Sequence, residues 1–249
     1  MYSKLIIKVL SVVFIVSMFF SCSDESIVLA PRDFGYEYYP VELGNYWIYQ
    51  MDSVVVLNGG QETIPSTSFL KEELTDLFIN EIGDTAYVLT ISKSDDLNGN
   101  FNVTDRYRLE ATGSRLTRFE ENLGFIKLFF PIEEGVEIDA NLFDHLIKVN
   151  VAQQEMQPFK EWMFKVKDNR LDTTINNVAY DNLTKIQQAD HENDLEIRKS
   201  TEFYAPDIGL VRREQTILDD QCGTACLNQE WIDRADRGYT LIQQLVEHN

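Results

Sequence analysis

The residues best spaced for chemistry lie between Ser94 and Asp105. The run Ser94-x-Asp96-x-Asn98-Gly99-Asn100-x-Asn102-x-x-Asp105 puts side-chain oxygens where an EF-type calcium loop has its ligands, and glycine where that loop turns sharply. Ser94 in the first ligand position and the short Asp105 in the last, where a bidentate glutamate is usual, depart from that loop. A plain Asn98-Gly99 hairpin uses the same residues, so two readings stand: calcium held by Ser94, Asp96, Asn98, Asn100, Asn102 and Asp105, or a turn. A second cluster is Cys222-Gly-Thr-Ala-Cys226. It lacks CxxC spacing and any nearby histidine, so a disulfide is expected rather than a metal or redox pair. Closing so small a loop contributes about 2 kcal/mol. His145, His191 and His248 are scattered, and the chain has no HxH or HExxH unit, no GxSxG and no glycine-rich phosphate loop. Glu133-Glu134 and Asp219-Asp220 have the residue types a glycosidase needs, but acids are abundant here and both pairs read as solvated turns. The sequence names no catalytic residue.

Aromatic rings form the other candidate site. Tyr36, Tyr38, Tyr39, Tyr46, Trp47 and Tyr49 crowd one segment, and Trp162 and Phe164 follow on a later strand. Tyr38, Tyr46 and Trp162 are the candidates for stacking on a sugar ring. Alternating strand positions divide between core and solvent, so most of these rings are expected in the core, Trp47 first.

The chain begins with Lys4 and Lys8, an uncharged block from Val9 to Phe20, the small residue Ser21, and then Cys22. This order of positive, apolar and small segments is that of an export signal. With cysteine next, it resembles a bacterial lipoprotein signal, although Phe19 and Phe20 stand where leucine and a small residue are usual. The resemblance implies cleavage before Cys22, lipidation of that residue and attachment to the cell outer membrane. More than one acyl chain would make the anchoring stable. Ser23-Asp24-Glu25 is similar to the surface-export tag of Bacteroidota lipoproteins, and it also reads as a solvated tether.

The formal net charge is −19, and losing Lys4 and Lys8 with the signal makes the mature chain more acidic still. Phosphate-rich partners are disfavoured by such a charge, so no nucleic acid is expected. Asp52-Ser53-Val54, Asp84-Thr85-Ala86 and Asp172-Thr173-Thr174 fit the Bacteroidota O-glycosylation pattern, and equally serve turns and strand starts.

Most segments after Arg32 alternate or are β-rich, and turn dipeptides separate them. Strands are predicted at 46–49, 53–57, 85–92, 101–110, 115–119, 146–152, 161–167, 183–188, 195–204, 210–217 and 239–246. Residues 68–79 fit either a helix or a pair of strands. The expected class is all-β and mainly antiparallel: a curved sheet or open half-barrel of many short strands.

Tyr38-Tyr39-Pro40-Val41-Glu42-Leu43-Gly44 matches Phe129-Phe130-Pro131-Ile132-Glu133-Glu134-Gly135. Farther on, residues 108–120 parallel 201–214, each a strand, a glycine-containing turn and a strand ending in arginine and glutamate. The pattern suggests one meander used twice. The expected layout is a signal over 1–21, an acidic tether over 22–35 and a β domain over 36–249. Within that domain the copies would span 36–127 and 128–218, leaving a disulfide loop and strand at 219–249. Tyr39-Pro40-Val41-x-x-Gly44-Asn45-x-Trp47-x-Tyr49 and Phe203-Tyr204-Ala205-Pro206-x-x-Gly209-Leu210-Val211 are together similar to a broad group of Bacteroidota lipoproteins. Asp207 and Ile208 depart from that group's usual Gly-Val. The resemblance implies a curved antiparallel sheet akin to the half-barrels of lipoprotein carriers and brings no activity.

Three functions follow as expectations. The first is a membrane-anchored envelope module that binds or scaffolds, toward a glycan or a protein. The second is a carrier with an apolar cavity for a lipid or lipoprotein, and the third is a glycan-acting enzyme. Oligomeric state is not encoded in these patterns.

Overall fold

The computed structural model describes residues 33–81, 83–120, 123–139, 147–226 and 228–249. Cys22, the signal preceding it, the tether up to residue 32, and His145 lie outside these residues.

Six strands follow one another in an antiparallel meander: β1 (Tyr46–Leu57), β2 (Glu62–Ile79), β3 (Thr85–Ser94), β4 (Asn102–Ala111), β5 (Arg115–Glu120) and β6 (Leu123–Phe129). After a crossover come β7 (Glu137–Ile138), β8 (Val149–Val151) and β9 (Gln154–Met156). A second meander completes the chain with β10 (Trp162–Ile175), β11 (Val178–Glu192), β12 (Glu196–Ala205), β13 (Gly209–Asp219) and β14 (Arg237–His248). Twelve strands form one sheet in the order β6-β5-β4-β3-β2-β1-β14-β13-β12-β11-β10-β7, and β8 pairs only with β9. β1 joins the halves, pairing with β2 on one side and over ten positions with β14 on the other. Residues 68–79, open between helix and strands, lie within β2.

The sheet is not closed, yet it rolls until its ends meet through side chains. Phe129 on β6 stands edge-on to Phe164 on β10 at 5.4 Å between ring centroids. Phe125 on β6 meets Phe159, just before β10, at 5.1 Å. The space enclosed is filled by the protein's own residues. Leu74, Leu89, Leu109, Leu128 and Leu183 are fully buried there with Tyr49 and Trp47. The β8–β9 hairpin packs Val149, Val151 and Met156 against Trp162, Ala189, Ile217 and Tyr239.

The two matched aromatic-proline segments make the same backbone bonds. Gly44 N–H donates to Leu74 O at 2.8 Å, Asn45 N–H to Glu42 O at 3.1 Å, and Leu74 N–H to Asn45 O at 2.9 Å. In the second segment Gly135 N–H donates to Val166 O at 2.9 Å, Val136 N–H to Glu133 O at 3.3 Å, and Val166 N–H to Val136 O at 3.0 Å. Both glycines sit at positive φ, 88° and 80°, a conformation that side chains oppose. A β-strand leaves each segment, β1 from one and β7 from the other.

Candidate functional site

The sheet's inner face carries charge where an apolar core is expected. On β12 the alternate residues Arg198, Ser200, Glu202 and Tyr204 are all at most 1% exposed. Strand register extends the row from Glu202 to Arg213 on β13, then to Gln243 on β14 and Met51 on β1. From the opposite end of the sheet, β5 contributes Arg118 and β6 contributes Lys127.

Glu202 is the centre of this cluster. Its Oε1 accepts from Lys127 Nζ and Arg213 Nε, each at 2.6 Å. Its Oε2 accepts from Gln188 Nε2 at 2.9 Å and the Tyr204 hydroxyl at 2.6 Å. Burial alone would raise this carboxyl's pKa, but Lys127 and Arg213 outweigh it and hold the group down at about 2. Burial pulls the Lys127 ammonium down to about 8 against the attraction of Glu202. Arg118 binds Glu72 at 3.1 Å and also pairs with Glu120. Burial works against its charge, yet Glu120 and Glu72 raise its pKa. Three buried donors here have no acceptor: Arg118 Nε, Arg213 Nη2 and Gln243 Nε2.

A cavity of about 160 Å³ adjoins the cluster at the seam of the sheet. Arg118, Lys127, Arg213, Glu120 and Glu202 line it, with Phe125, Phe159 and Trp162 adding an aromatic wall. Phe159 and Trp162 stand edge-on at 5.2 Å. Tyr239 also borders the cavity, and burial pushes its hydroxyl up to about 12. Chemically this arrangement can receive an acceptor-rich group. Glu202 has both oxygens occupied and stays ionised, which suits neither a general acid nor a general base.

The residues singled out from sequence fall elsewhere, with one exception. Cys222 and Cys226 are joined in a disulfide, on a loop tied down by Cys222 N–H to Asp220 Oδ1 at 2.7 Å. Ser94 ends β3, Asp96, Asn98 and Asn100 lie in the turn, and Asn102 and Asp105 lie in β4. The Ser94 hydroxyl donates to Asp96 O at 2.7 Å, and an Asp96 carboxylate oxygen accepts from Asn98 N–H at 2.9 Å. Asn102 and Asp105 belong to β4, in register with Lys93 and Ile91. Among the described residues no group of three or more His, Cys, Asp or Glu is placed to hold a metal. His191 approaches Glu196 at 3.3 Å, near the β11–β12 turn.

The stacking surface needs correction. Tyr38 is buried with its hydroxyl on Asn182 O at 2.5 Å, and Trp162 is buried with its Nε1 on Pro158 O at 2.8 Å. Tyr46 stands apart on β1, its hydroxyl on Glu247 at 2.7 Å and the Lys71 ammonium 4.9 Å from its ring. The three rings form no shared platform: Tyr38 precedes the sheet and is tied to β11, Tyr46 opens β1 half-exposed, and Trp162 opens β10. Trp162 is the exception: its ring borders the cavity. Glu202, Arg213, Lys127 and Arg118 were not singled out from sequence. The available signal was charge in phase with inward positions, as in the lone lysine of Phe125-Ile126-Lys127-Leu128-Phe129.

Comparison with protein-family models finds no match, and no curated protein matches the chain. Among solved structures, one from Bacteroides fragilis, described as an exported protein with a YmcC-like fold, is 10% identical with a TM-score of 0.34. The match covers 85% of this chain and 98% of that one. Another, described as a lipoprotein from Parabacteroides distasonis, is 12% identical with a TM-score of 0.33, covering 84% and 98%. At these scores the likeness is loose. Among the described residues no helix is long and apolar enough to cross a membrane.

Proposed function

We propose that this chain is a binding module of the cell envelope, anchored to the outer membrane through lipid on Cys22, which recognises a ligand rather than transforming one. The observation that carries the binding reading is the ionised interior. Glu72, Arg118, Lys127, Glu202 and Arg213 are withdrawn from water beside a cavity. Buried ion pairs stabilise a fold no better than well-packed apolar residues of similar volume, and often less well. Charge at this position therefore fits recognition better than folding. The carrier reading has less support, because leucine and tyrosine side chains occupy the space the sheet encloses. An enzyme has less still, since His191 and His248 lie apart from the cluster and Glu202 is fully hydrogen-bonded.

The anchoring half of the reading rests on Lys4, Lys8, the block from Val9 to Phe20, and Ser21-Cys22. In this layout residues 1–21 are removed, 22–35 form a tether and 36–249 form the body. Two copies of one six-stranded meander make up that body. The repeated bonds at Gly44 and Gly135 support this, as does a sheet order in which β14 stands where a second copy of β6 would stand. The strand expected as a C-terminal appendage then completes the second copy.

Growth on an alkyne-bearing palmitate tests the anchor. The wild-type protein should take up the label and Cys22→Ala should not; an unlabelled wild type would remove the anchor. Protease shaving of intact cells tests the leaflet. Wild-type protein should be cut and the Asp24→Ala, Glu25→Ala double variant spared, while protection of both would place the body inside the outer membrane.

A further inference from the structure

We propose that the cavity at the seam between β6 and β10 binds a small carboxylate carried on a flat apolar group. The inference rests on the binding-module reading and names the chemistry of its ligand.

Hydrogen-bonding capacity at the cavity is unbalanced toward donors. Both oxygens of Glu202 are occupied by four donors. Glu72 and Glu120 take the two terminal nitrogens of Arg118. Two lining side chains, Arg118 and Arg213, still hold a buried N–H without an acceptor. Charge is balanced: Arg118, Lys127 and Arg213 face Glu120 and Glu202 on the wall and Glu72, which binds Arg118 at 3.1 Å. The imbalance is one of hydrogen-bond donors, and a ligand that restores it brings acceptors for guanidinium groups. Guanidinium groups recognise planar oxyanions by paired, charge-assisted hydrogen bonds, which favours a carboxylate.

The rest of the wall selects what carries that carboxylate. Phe125 and Phe159 are half-buried, so they stand at the mouth, and Trp162 lies behind them. Phe159 touches both Phe125 and Trp162, and the row of three rings offers edges and faces to a flat apolar body. A bare inorganic anion would leave this wall unused. The cavity is small, about 160 Å³, which suits a ligand the size of a single substituted ring.

The full-length lipidated protein, purified in detergent, should be titrated calorimetrically with benzoate, benzamide, acetate and inorganic phosphate. Benzoate should bind one to one. Benzamide, with the same ring and no charge, and acetate, with the charge and no ring, should each bind at least about tenfold more weakly. Phe159→Ala should weaken benzoate and leave acetate unchanged. Lys127 faces Glu202, Arg213 and Arg118, with Glu120 and Tyr239 also on the wall, and is the group that titrates near its value of about 8. Benzoate affinity should therefore fall as pH rises through about 8, and Lys127→Met should flatten that dependence. Equal binding of benzoate and benzamide, tighter binding of phosphate, or no heat from any of the four would overturn the proposal. Failure there with Cys22 labelled by palmitate would sink this ligand alone. An unlabelled Cys22 with benzoate bound would sink the anchor alone.

Discussion

Lys127 on β6 reaches Glu202 on β12 with 2.6 Å between Nζ and Oε1, and neither side chain is more than 9% exposed. The strands that carry them lie near opposite ends of the sheet, eight places apart in its order. This ion pair and the Phe129–Phe164 contact therefore do at the seam what backbone hydrogen bonds do between β1 and β14. An open sheet whose ends meet through side chains keeps the polar groups of that seam available to a ligand, which hydrogen-bonded strands would not.

Replacing Glu202 by glutamine should be severe. The amide nitrogen would point at a donor whichever way it turned, and Lys127 and Arg213 would lose their common counter-charge. Breaking a buried pair by removing one partner typically costs about 3–5 kcal/mol. Denaturant titration should show a loss of that order. A triple replacement, Lys127→Met, Glu202→Leu and Arg213→Met, removes all three charges and should stay within about 2 kcal/mol of wild type. If the triple variant is the less stable of the two, the cluster serves folding first and the argument for recognition weakens.

Stability should depend on pH at both ends, with signs that can be worked out. The Glu202 carboxyl is held at about 2 in the folded protein. An unfolded glutamate titrates near about 4.3, so this contribution is present above that value. It is lost as pH falls toward about 2, and amounts to about 3 kcal/mol. Lys127 acts in the opposite range. Its folded value of about 8 lies below the ordinary lysine value, so between the two the unfolded chain binds more protons and stability rises with pH. Above about 10 the raised pKa values of Tyr49 and Tyr204 reverse the trend, because the unfolded tyrosines ionise first. In Lys127→Met the alkaline rise should disappear, and the acid loss should begin at higher pH because one of the cations that hold the Glu202 carboxyl down is gone; identical alkaline limbs in wild type and variant would contradict the assignment.

The fold was legible where turn chemistry bounded an alternating run. The strand expected at 85–92 is β3 at Thr85–Ser94, and that expected at 210–217 is β13 at Gly209–Asp219. β6 was missed because Leu123-Gly-Phe-Ile-Lys-Leu-Phe has no strict alternation, and its end was read as the opening of a repeat. The site was not legible for a different reason. On β12 the apolar residues Ile197, Phe203 and Ala205 mark one face as inward, yet the other face, with Arg198 and Glu202, is the more buried. The apolar face is covered only at its ends, by Ile197 and Ala205, with Lys199 exposed between them, so apolar alternation points to the wrong face. The partners of Glu202 lie 75 and 11 residues away, at Lys127 and Arg213. Only the rolled sheet brings them together.

Arg198 is a buried charge of another kind, and its removal should hurt the fold without affecting the cavity. Its Nε donates to Gln157 O at 3.0 Å, and Nη1 donates to Ile197 O and Leu218 O, both at 2.9 Å. Nη2 binds Asp219 at 2.5 Å. Arg198→Met would take a donor from three carbonyls and from Asp219 Oδ1, while the other Asp219 oxygen keeps Arg237 Nε at 2.8 Å. Unsatisfied buried groups cost about 1–3 kcal/mol each, so a loss of at least about 3 kcal/mol is expected. Benzoate binding by the folded fraction should be unchanged, and a parallel loss of both would tie Arg198 to the site.

Gly238 tests the junction between the halves. It pairs with Val56 on β1 and with Leu218 on β13, so the backbone is held from both sides. Its φ is 119°, and a Cβ built there would meet Ile217 O at 2.1 Å and Leu218 Cα at 2.9 Å. Both obstacles are backbone, which cannot rotate away as a side chain would. Gly238→Ala must therefore move β13 relative to β14 or break their pairing. The expected cost is at least about 2 kcal/mol, from strain and lost pairing together. Hydrogen exchange should locate the damage: amides of β13, β14 and β1 should lose protection while those of β3 and β4 keep theirs. Loss spread evenly over all strands would mean that the sheet unfolds as one unit and that its two halves have no separate stability.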